Sequence, residues 1–391
     1  MSMLIKPKIL RNICLTAHPL GCEAQVREQI DYVRAKEPLI GTKRSLIVGS
    51  SNGYGLAARI LAAYGCGANT VGVAYERPGT EAKPGSAGWY NDLAFRRSAE
   101  LDRLGAWSIN GDAFSREIKE QTVDLVKQNL GGVDLVVYSI ASPRRMDPDT
   151  GVLHSSVIKP IGRPFVEKTV DFQTGEVSEI RAEPAGSQKE IEDTVKVMGG
   201  EDWQLWIEAL DAAGLLEEGT TTLAFSYIGP EFTAPIYRDG TIGEAKKHLE
   251  RTAKALNRRL AERGGRALVS VNKALVTRAS SVIPAVPLYI ALLYRVMKDR
   301  GLHEACIQQI DRLFRDYLCS DNPPPTDAEG RIRIDDREML PEVQEEVRKR
   351  WRQVTSENVE RLSDIAGFRD EYLRYHGFGV SGIDYAADVE A

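Results

Sequence analysis

Two tyrosines and a lysine follow one another closely in the stretch SYIGPEFTAPIYRDGTIGEAK (226–246). Tyr237 comes ten positions after Tyr227, and Lys246 comes nine positions after Tyr237. Hydride addition to an activated double bond leaves an oxyanion on the adjoining carbonyl, and a nearby phenol can stabilise it and supply a proton. A neighbouring ammonium makes the phenol more acidic and can hold the ribose of a nicotinamide cofactor. The pattern therefore suggests a nicotinamide-dependent reductase, although two buried aromatics and a surface lysine would produce it as well.

The gap between Tyr237 and Lys246 limits how the two side chains can meet. On one continuous helix, a gap of nine positions corresponds to a rotation of about 900°, which would place them on opposite faces. Between them lie a turn signal, Arg238-Asp239-Gly240, and the segment Thr241-Ile242-Gly243-Glu244, which matches a capping box. We therefore expect a helix to begin between the two residues, with Tyr237 just before it and Lys246 in its first turns.

A glycine-rich turn, GSSNGYG (49–55), separates a short apolar run from a segment with helical periodicity. Glycine at positions 49, 53 and 55 allows the backbone to turn tightly and to approach a pyrophosphate, whose charge is met by amide N–H groups at the helix N-terminus. Such turns also have purely structural roles. This one follows the first predicted strand and opens a helix, which is the arrangement of a dinucleotide site. We therefore predict that the turn binds phosphate.

Glu76 and Asp112 end the second and third predicted strands. Glu76 lies 21 positions beyond Gly55, where a carboxylate can accept hydrogen bonds from the adenosine ribose hydroxyls and repel a 2′-phosphate, so we favour NADH over NADPH. Arg77 is a contrary signal, because an arginine could accommodate that phosphate. Asp112 could bond the adenine amino group, although surface aspartates at strand ends are common.

Apolar runs that alternate with helical periodicity indicate the fold class. Six strands are predicted, at SLIVGS (45–50), TVGVAYE (70–76), AWSINGD (106–112), VDLVVYSIAS (133–142), LAFSYIG (223–229) and RALVSVNKALVT (266–277). This alternation predicts an α/β fold, a Rossmann-type doubly wound parallel sheet with insertions and a helical C-terminal extension.

The chain departs from this alternation in two places. About eighty residues (143–222) separate the fourth and fifth strands, more than a normal crossover needs, and they predict a hairpin with a turn at Thr174-Gly175 and a helix around EDWQLWIEALDAAG. After residue 300 the sequence predicts further helices and a strand-like GRIRID (330–335). We expect one elaborated domain over residues 1–391, with a core at about 42–300, an insertion at about 143–222 and an extension at about 300–391.

The composition is typical of a soluble globular protein, with 42% hydrophobic and 27% charged residues. The formal net charge is -5, and no basic arm indicates a nucleic-acid partner. Five cysteines without CxxC spacing, and an N-terminus without the apolar core of a secretory signal, favour a cytoplasmic protein with reduced thiols. The apolar stretch ASSVIPAVPLYIALLY (279–294) is too short for a transmembrane segment, so we interpret it as a buried helix or the lining of an apolar pocket.

Two further residues invite a catalytic interpretation. His18, in TAHPLGC (16–22), could be a metal ligand or an acid–base group, but the five histidines form no ligand cluster, which favours a structural role. Ser226 is eleven positions before Tyr237 and resembles the serine of ordinary short-chain reductases, but its neighbour Tyr227 is the better candidate.

Several of these motifs resemble one family over essentially the whole chain. They are the glycine turn, the Tyr-x8-Lys pair, YIGP (227–230), TAHPLGC and KALVTRASSVIPAVPLY (273–289). Together they are similar to the monofunctional trans-2-enoyl reductases of the FabV type, a larger branch of the short-chain dehydrogenase/reductase superfamily. The resemblance implies NADH-dependent reduction of the C2=C3 double bond of trans-2-enoyl-CoA or trans-2-enoyl acyl carrier protein in fatty acid biosynthesis. We expect the enzyme to be monomeric.

The resemblance also implies roles for individual residues. Tyr237 would be the proton donor, Lys246 would contact the cofactor, and Tyr227 would meet the thioester substrate. The loop Leu275-Val276-Thr277 would touch the nicotinamide end, and Ile140-Ala141 would lie beside the cofactor. The predicted cofactor site comprises Gly49, Ser50, Ser51, Asn52, Gly53, Tyr54, Tyr75, Glu76, Asp112, Ala113, Ile140, Ala141, Lys246, Leu275, Val276 and Thr277, and no metal site is predicted.

Two other functions compete with this one. A carbonyl reductase of the same fold would reduce a ketone instead of a carbon–carbon double bond, but two tyrosines ahead of the lysine fit enoyl chemistry better than a Ser-Tyr-Lys set. A non-enzymatic dinucleotide sensor would need no acid pair beside the nicotinamide, so the presence of Tyr237 and Lys246 counts against it.

Overall fold

The computed structural model describes residues 2–10, 12–277, 280–283, 285–320 and 323–390. Its strands are β1 (Ser2–Met3), β2 (Ile9–Leu10), β3 (Ile13–Cys14), β4 (Arg44–Val48), β5 (Asn69–Ala74), β6 (Ala106–Asn110), β7 (Val133–Tyr138), β8 (Arg144–Met146), β9 (Leu153–Ser155), β10 (Phe165–Val170), β11 (Val177–Ala182), β12 (Leu216–Ser226), β13 (Arg266–Val271), β14 (Arg331–Arg333) and β15 (Val389–Glu390). Its α-helices are α1 (Pro19–Arg34), α2 (Gly53–Ile60), α3 (Ala87–Leu101), α4 (Arg116–Asn129), α5 (Gln188–Met198), α6 (Glu201–Ala212), α7 (Thr241–Ala261), α8 (Val286–Asp299), α9 (Cys306–Leu313), α10 (Pro341–Gln353), α11 (Val359–Leu362) and α12 (Ile365–Arg374). Short π-helical turns, Leu61–Gly65 and Phe314–Leu318, continue α2 and α9.

Seven strands of the described ranges form one parallel sheet, in the order β14-β13-β12-β7-β4-β5-β6. The first of them in sequence, β4, lies inside the sheet, so the strand order reverses between β4 and β7. All six predicted strands belong to this sheet, and the GRIRID segment adds β14 at one edge. The predicted Rossmann-type α/β fold is therefore confirmed.

Both faces of the sheet are buried, because helices cover each of them. Along β4, Leu46 and Val48 pack in one apolar cluster with α4, α6 and α7, whereas Ile47 packs in another with α1, α2 and α9. All three side chains are fully buried. Burying an aliphatic side chain of this size contributes about 1.5–3 kcal/mol. The continuous apolar runs of the sequence are therefore explained by a two-sided core.

The parallel arrangement brings the carboxyl ends of the strands to one edge of the sheet, where open α/β sheets bind their ligands. The glycine turn follows β4, Glu76 follows β5, and Asp112 follows β6. Tyr227 follows β12 and the loop 272–277 follows β13. The topology thus places most of the predicted site residues along this edge.

The long connection between β7 and β12 contains the predicted hairpin. β10 and β11 pair antiparallel around a turn in which Gly175 has a φ of +81° and Asp171 Oδ1 accepts a hydrogen bond from the Gln173 amide at 2.8 Å. The predicted amphipathic helix is α6. A second hairpin, β8 with β9, was not predicted, because strands of three residues are too short to show an alternating pattern.

The apolar stretch at 279–294 continues into α8, whose side chains from Leu288 to Tyr294 are 0% exposed. The helix joins one apolar cluster with the β10–β11 hairpin, α10 and α12. The prediction of a buried helix is confirmed, although Arg278, Ala279 and Pro284 lie outside the described residues. Within the described ranges, no helix is long and apolar enough to cross a membrane. The division into a core, an insertion and an extension remains a prediction.

Candidate active site

The turn between β4 and α2 has room only for glycine at two positions. Gly49 has a φ of +92°, and a Cβ there would lie 2.1 Å from the carbonyl oxygen of Ser139. A Cβ on Gly55 would lie 1.9 Å from the carbonyl oxygen of Gly49. Asn52, the N-cap of α2, does not cap the helix with its side chain, because its Oδ1 accepts a hydrogen bond from Asn91 Nδ2 at 2.8 Å. The first amides of α2 therefore keep their capacity to bind an anion.

Glu76 is attached to this turn through its carboxylate. Ser51 Oγ donates to Glu76 Oε1 at 2.7 Å, and Asn52 Nδ2 donates to the same oxygen at 3.2 Å. Asn110, at the end of β6, fixes the backbone of Glu76 by accepting from its amide at 2.7 Å and donating to its carbonyl at 2.8 Å. The strand-end carboxylate therefore has a defined position beside the glycine turn.

Three other residues that the sequence predicts for the cofactor site, Tyr75, Asp112 and Ala113, follow the carboxyl ends of β5 and β6. Tyr75 is 76% exposed, whereas Ala113 is buried. Asp112 Oδ1 accepts a hydrogen bond from the Phe114 amide at 3.0 Å. Its second carboxylate oxygen accepts no hydrogen bond from the residues that the structure describes, and the contact with an adenine amino group stays a prediction.

The loops that follow β7 and β13 adjoin the glycine turn. Both strands lie on the opposite side of β4 from β5 and β6. A Cβ built on Gly49 would lie 3.3 Å from the amide nitrogen of Ile140, and one built on Gly53 would lie 4.0 Å from Thr277 Cγ2. The Val276 amide donates to the hydroxyl of Tyr294 at 3.0 Å, which fixes the second loop to α8. The residues after β7 and β13 are thus brought to the predicted cofactor turn. Tyr54 strengthens the link, since its hydroxyl donates to the Lys273 carbonyl at 2.8 Å.

A helix does begin between Tyr237 and Lys246, as predicted. Tyr237 lies in irregular turns, and Lys246 lies in the second turn of α7. The predicted capping box is wrong, because the N-cap is Gly240 and the Thr241 side chain does not cap the helix. Its hydroxyl instead donates to the Val157 carbonyl at 2.5 Å, in the insertion. The Thr241 hydroxyl therefore bonds to a distant segment of the chain instead of capping α7, as the local sequence pattern had predicted.

The two tyrosines and the lysine converge at the carboxyl end of β12. Lys246 Nζ donates to the Phe225 carbonyl at 3.4 Å. Two residues further along, Tyr227 meets Tyr237 edge to face, with ring centroids 4.9 Å apart and planes at 81°. The Tyr237 hydroxyl has no hydrogen-bond partner among the described residues. The arrangement leaves this phenol available to a ligand.

Burial alters the acidity of both members of the Tyr-Lys pair. Tyr237 is 7% exposed, and burial raises the pKa of its phenol above the ordinary value. Burial lowers the pKa of Lys246 to about 8, and Glu250 partly opposes this shift. Lys246 therefore carries its charge at neutral pH and loses it above about pH 8. A charged ammonium near the phenol would favour the phenolate that forms when Tyr237 gives up its proton.

A buried carboxylate that the sequence pattern did not indicate holds the other tyrosine. Glu338 lies in the turns before α10 and is 0% exposed. Its Oε1 accepts hydrogen bonds from the hydroxyls of Tyr227 at 3.1 Å and Tyr289 at 2.6 Å. Its Oε2 accepts from the Ala274 amide at 2.7 Å. Glu338 is 111 positions from Tyr227, so no local signal could have found it.

The remaining candidates have structural or minor roles. His18 is the buried N-cap of α1, its Nδ1 accepts from the Gly21 amide at 3.3 Å, and its ring lies 4.8 Å from that of Tyr385. The described residues contain no group of three or more side chains suited to a metal ion. The Ser226 hydroxyl is buried and makes no hydrogen bond within the described chain. It therefore does not join Tyr237 in a Ser-Tyr-Lys network.

Comparison with known proteins identifies the family. A family model described as the trans-2-enoyl-CoA reductase catalytic region matches residues 83–319, and one described as the NAD(P)H binding domain of trans-2-enoyl-CoA reductase matches residues 4–81. The chain belongs to the trans-2-enoyl-CoA reductase family. The resemblance drawn from the sequence motifs is therefore confirmed.

Individual relatives are similar along almost their whole length. An NADH-dependent enoyl-acyl-carrier-protein reductase of Flavobacterium johnsoniae is 54% identical over 387 residues, which cover 99% of this chain and 98% of the relative. The crystal structure of Treponema denticola trans-2-enoyl-CoA reductase in complex with NAD is 53% identical, with a TM-score of 0.96 and coverage of 99% and 98%. That of the Clostridium acetobutulicum enzyme with NADH is 45% identical, with a TM-score of 0.97 and the same coverage. The monomeric state and the cytoplasmic location stay predictions.

A third family model, described as an enoyl reductase FAD binding domain, matches residues 326–389. The residues of this segment do not fit a flavin dinucleotide. Its apolar side chains, Val343 and Trp351 among them, are buried in the cluster around α8. The α12 N-terminus is capped by Asp364, which accepts from the Gly367 amide at 3.2 Å, and α10 begins with Pro341, which has no N–H. The N-termini of α10 and α12 therefore offer no diphosphate site, and α11 is a single turn of four residues, so we assign no flavin to this chain.

Proposed function

We propose that this chain reduces the C2=C3 double bond of trans-2-enoyl thioesters with NADH and that Tyr237 supplies the proton. As a member of the enoyl reductase family it is an NADH-dependent oxidoreductase, and its place in fatty acid biosynthesis follows from that class. The observation that supports the residue roles is the convergence of Tyr237, Lys246 and Tyr227 at the carboxyl end of β12. This edge of the sheet also carries the glycine turn.

The residues at that edge fit NADH. The tight turn at Gly49 and Gly55, where a Cβ would clash with the backbone, leads into the uncapped amides of α2, which suit a pyrophosphate, and the fixed carboxylate of Glu76 suits the adenosine ribose. When bound, NADH supplies the hydride that reaches the β-carbon of the substrate. The same proposal includes the remaining predicted cofactor contacts, which are Ser50 to Tyr54, Tyr75, Asp112, Ala113, Ile140, Ala141 and Leu275 to Thr277.

Tyr237 and Lys246 then stabilise the negative charge that develops on the substrate. Hydride addition at the β-carbon leaves an enolate with negative charge on the thioester carbonyl oxygen. Tyr237 donates a hydrogen bond and a proton to that oxygen, and the resulting enol tautomerises to the saturated thioester by taking a proton at the α-carbon. The Tyr237 hydroxyl has no competing partner among the described side chains, so it needs to break no bond first. Lys246, charged below about pH 8, stabilises the resulting phenolate and holds the nicotinamide ribose. Burial of the phenol strengthens these interactions.

Replacing Glu76 with alanine is expected to raise the use of NADPH relative to NADH. The substitution removes the charge that repels a 2′-phosphate. It also frees Ser51 Oγ and Asn52 Nδ2, which donate to Glu76 in the unmodified protein. The measurement is kcat/KM for both cofactors. Arg77→Ala is the matched control, since it changes the adjacent side chain without removing that repulsion. An unchanged ratio in Glu76→Ala would show that Glu76 does not contact the ribose.

Enlarging Ala291 is expected to change acyl chain-length preference more than NADH affinity. We propose that Ser280 to Leu293 lines or covers the acyl pocket, because a fatty chain needs a concave apolar wall. Ala291 is fully buried in α8, and Ala291→Phe would occupy space on that helix. Ala285 is a poorer test, since its φ of +64° is already strained for a residue with a side chain. Equal losses of kcat/KM on short and long enoyl-CoA would indicate that α8 is only core.

One assay tests the proposed reaction as a whole. NADH oxidation is followed with a short enoyl-CoA, a long enoyl-CoA, an enoyl acyl carrier protein and a 3-ketoacyl-CoA side by side. We expect oxidation with the enoyl thioesters, and the comparison ranks chain lengths and carriers. Turnover of the ketone without turnover of any enoyl thioester would instead establish the rival carbonyl reductase.

A further inference from the structure

We infer that Glu338 is a positioning residue of this site, which takes the single O–H of Tyr227 and thereby leaves proton donation to Tyr237. The inference rests on the proposed function, because it assigns the two tyrosines different tasks in the same reaction. Their rings are in contact, so proximity alone does not say which of them donates.

The hydrogen bonds around Glu338 distinguish the two phenols. A tyrosine has one O–H to donate, and a carboxylate only accepts. Tyr227 donates to Glu338 Oε1 at 3.1 Å, so its oxygen can offer only lone pairs to a ligand in this arrangement. The Tyr237 hydroxyl, in contrast, has no partner in the described chain. Tyr227 can therefore contact the substrate without competing as the acid.

The position of Glu338 is itself fixed by two elements. Tyr289, from α8, donates to Oε1 at 2.6 Å while its ring packs against Phe232 with centroids 5.4 Å apart. Gln344 Nε2, from α10, donates to the Tyr289 hydroxyl at 3.1 Å and to the Glu338 carbonyl at 2.7 Å. These contacts therefore fix the Glu338 carboxylate next to the Tyr227 hydroxyl.

The other carboxylate oxygen reaches the loop proposed to contact nicotinamide. Oε2 accepts from the Ala274 amide at 2.7 Å, and Thr277 of the same loop adjoins the glycine turn. Burial raises the pKa of Glu338, and nearby Lys273, whose Nζ donates to the Ala274 carbonyl at 3.0 Å, partly opposes that shift. One buried side chain thus ties the substrate tyrosine to the cofactor loop.

These contacts give the C-terminal segment 326–389 a part in catalysis that does not involve a flavin. The segment supplies Glu338 and Gln344, and its apolar face packs against α8, which supplies Tyr289. Glu338 forms no salt bridge with the described side chains, and a buried carboxylate of this kind contributes little to stability by itself, because it is costly to remove from water. Its donors come from the site, so positioning explains why it is there.

A double-mutant cycle on the intact enzyme tests this inference. Glu338→Gln cannot accept all three hydrogen bonds, since one of its two terminal atoms is an N–H₂ donor. We expect it to lower kcat on an enoyl-CoA by about 10–10²-fold, the scale for a displaced reactive group, with NADH Kd changed less. If Glu338 acts through Tyr227, the loss of kcat/KM caused by Tyr227→Phe should largely disappear in the Glu338→Gln background.

Glu371→Gln is the matched control for this cycle. Glu371 belongs to the same segment and accepts the Tyr294 hydroxyl of α8 at 2.5 Å. Glu371→Gln therefore removes a comparable carboxylate–tyrosine bond without touching Tyr227. In its background, the loss caused by Tyr227→Phe should keep its full size.

Two results would overturn the inference. One is an unchanged kcat in Glu338→Gln, and the other is a loss of kcat/KM from Tyr227→Phe that is equally large in the unmodified and the Glu338→Gln backgrounds. If Glu338→Gln does not fold, Tyr289→Phe replaces it in the cycle, because it removes one bond to the same oxygen and keeps the ring against Phe232. Additive losses in that cycle would overturn the inference too. The proposed function fails separately, if Tyr237→Phe keeps full turnover.

Discussion

Replacing Tyr237 with phenylalanine is expected to lower turnover on an enoyl thioester by about 10²–10⁴-fold, the usual contribution of a general acid. The ring keeps its packing against Tyr227, and only the phenolic hydroxyl is removed. NADH affinity should survive, because Lys246 and the glycine turn are unchanged. The measurements are kcat on enoyl-CoA and the NADH Kd by fluorescence titration.

Tyr138→Phe provides a matched control for this substitution. Tyr138 is buried to the same degree, but its hydroxyl donates to Asp202 at 3.1 Å, inside the core. Tyr138→Phe should lose some stability and keep its turnover. Tyr227→Phe should lose less turnover than Tyr237→Phe, since we propose that Tyr227 only helps to position the thioester. A Tyr237→Phe enzyme with normal turnover would remove the basis of the assignment.

Replacing Lys246 with methionine is expected to lower both turnover and NADH affinity. We propose that the ammonium has two tasks, one on the ribose and one on the phenol of Tyr237, and methionine removes the charge with little change in length. Lys247→Met is the matched control, because Lys247 is exposed and pairs with Glu244 at 2.7 Å. It should bind NADH and turn over normally.

The same lysine predicts a pH dependence of cofactor binding. Its pKa of about 8 means that the ammonium is present below about pH 7 and is lost as the pH rises through 8. NADH affinity of the unmodified enzyme should therefore fall between pH 7 and 9, and that decline should be absent in Lys246→Met. A Lys246→Met enzyme with an unchanged Kd and the same pH profile would contradict the ribose contact.

The elements with strong local signals could be predicted from the sequence. Apolar runs marked all six predicted strands, and the glycine turn was recognisable because only a residue without Cβ fits at Gly49 and Gly55. The helix start between Tyr237 and Lys246 followed from the turn signal between them. The strand ends were less accurate: β13 ends at Val271, where the chain leaves the sheet for the site, and not at Thr277.

Features that depend on distant contacts could not be predicted in this way. The hydroxyl of Thr241 bonds to the insertion instead of capping α7, and Asn91 and Asn110 support the glycine turn and Glu76 from other elements. Glu338 is the clearest case, because nothing near it in sequence indicates that a carboxylate reaches Tyr227. The residue types at the site were visible in the sequence, but the direction of each hydrogen bond was not.

A single-turnover experiment tests the central claim, that Tyr237 is the proton donor, most directly. NADH is bound in advance to the unmodified enzyme, to Tyr237→Phe and to Tyr227→Phe, each is mixed with excess enoyl-CoA, and the loss of NADH absorbance is timed. We expect Tyr237→Phe to be slower than the unmodified enzyme by about 10²–10⁴-fold and slower than Tyr227→Phe. Oxidation of bound NADH by Tyr237→Phe at the unmodified rate, or a larger loss in Tyr227→Phe, would contradict the claim.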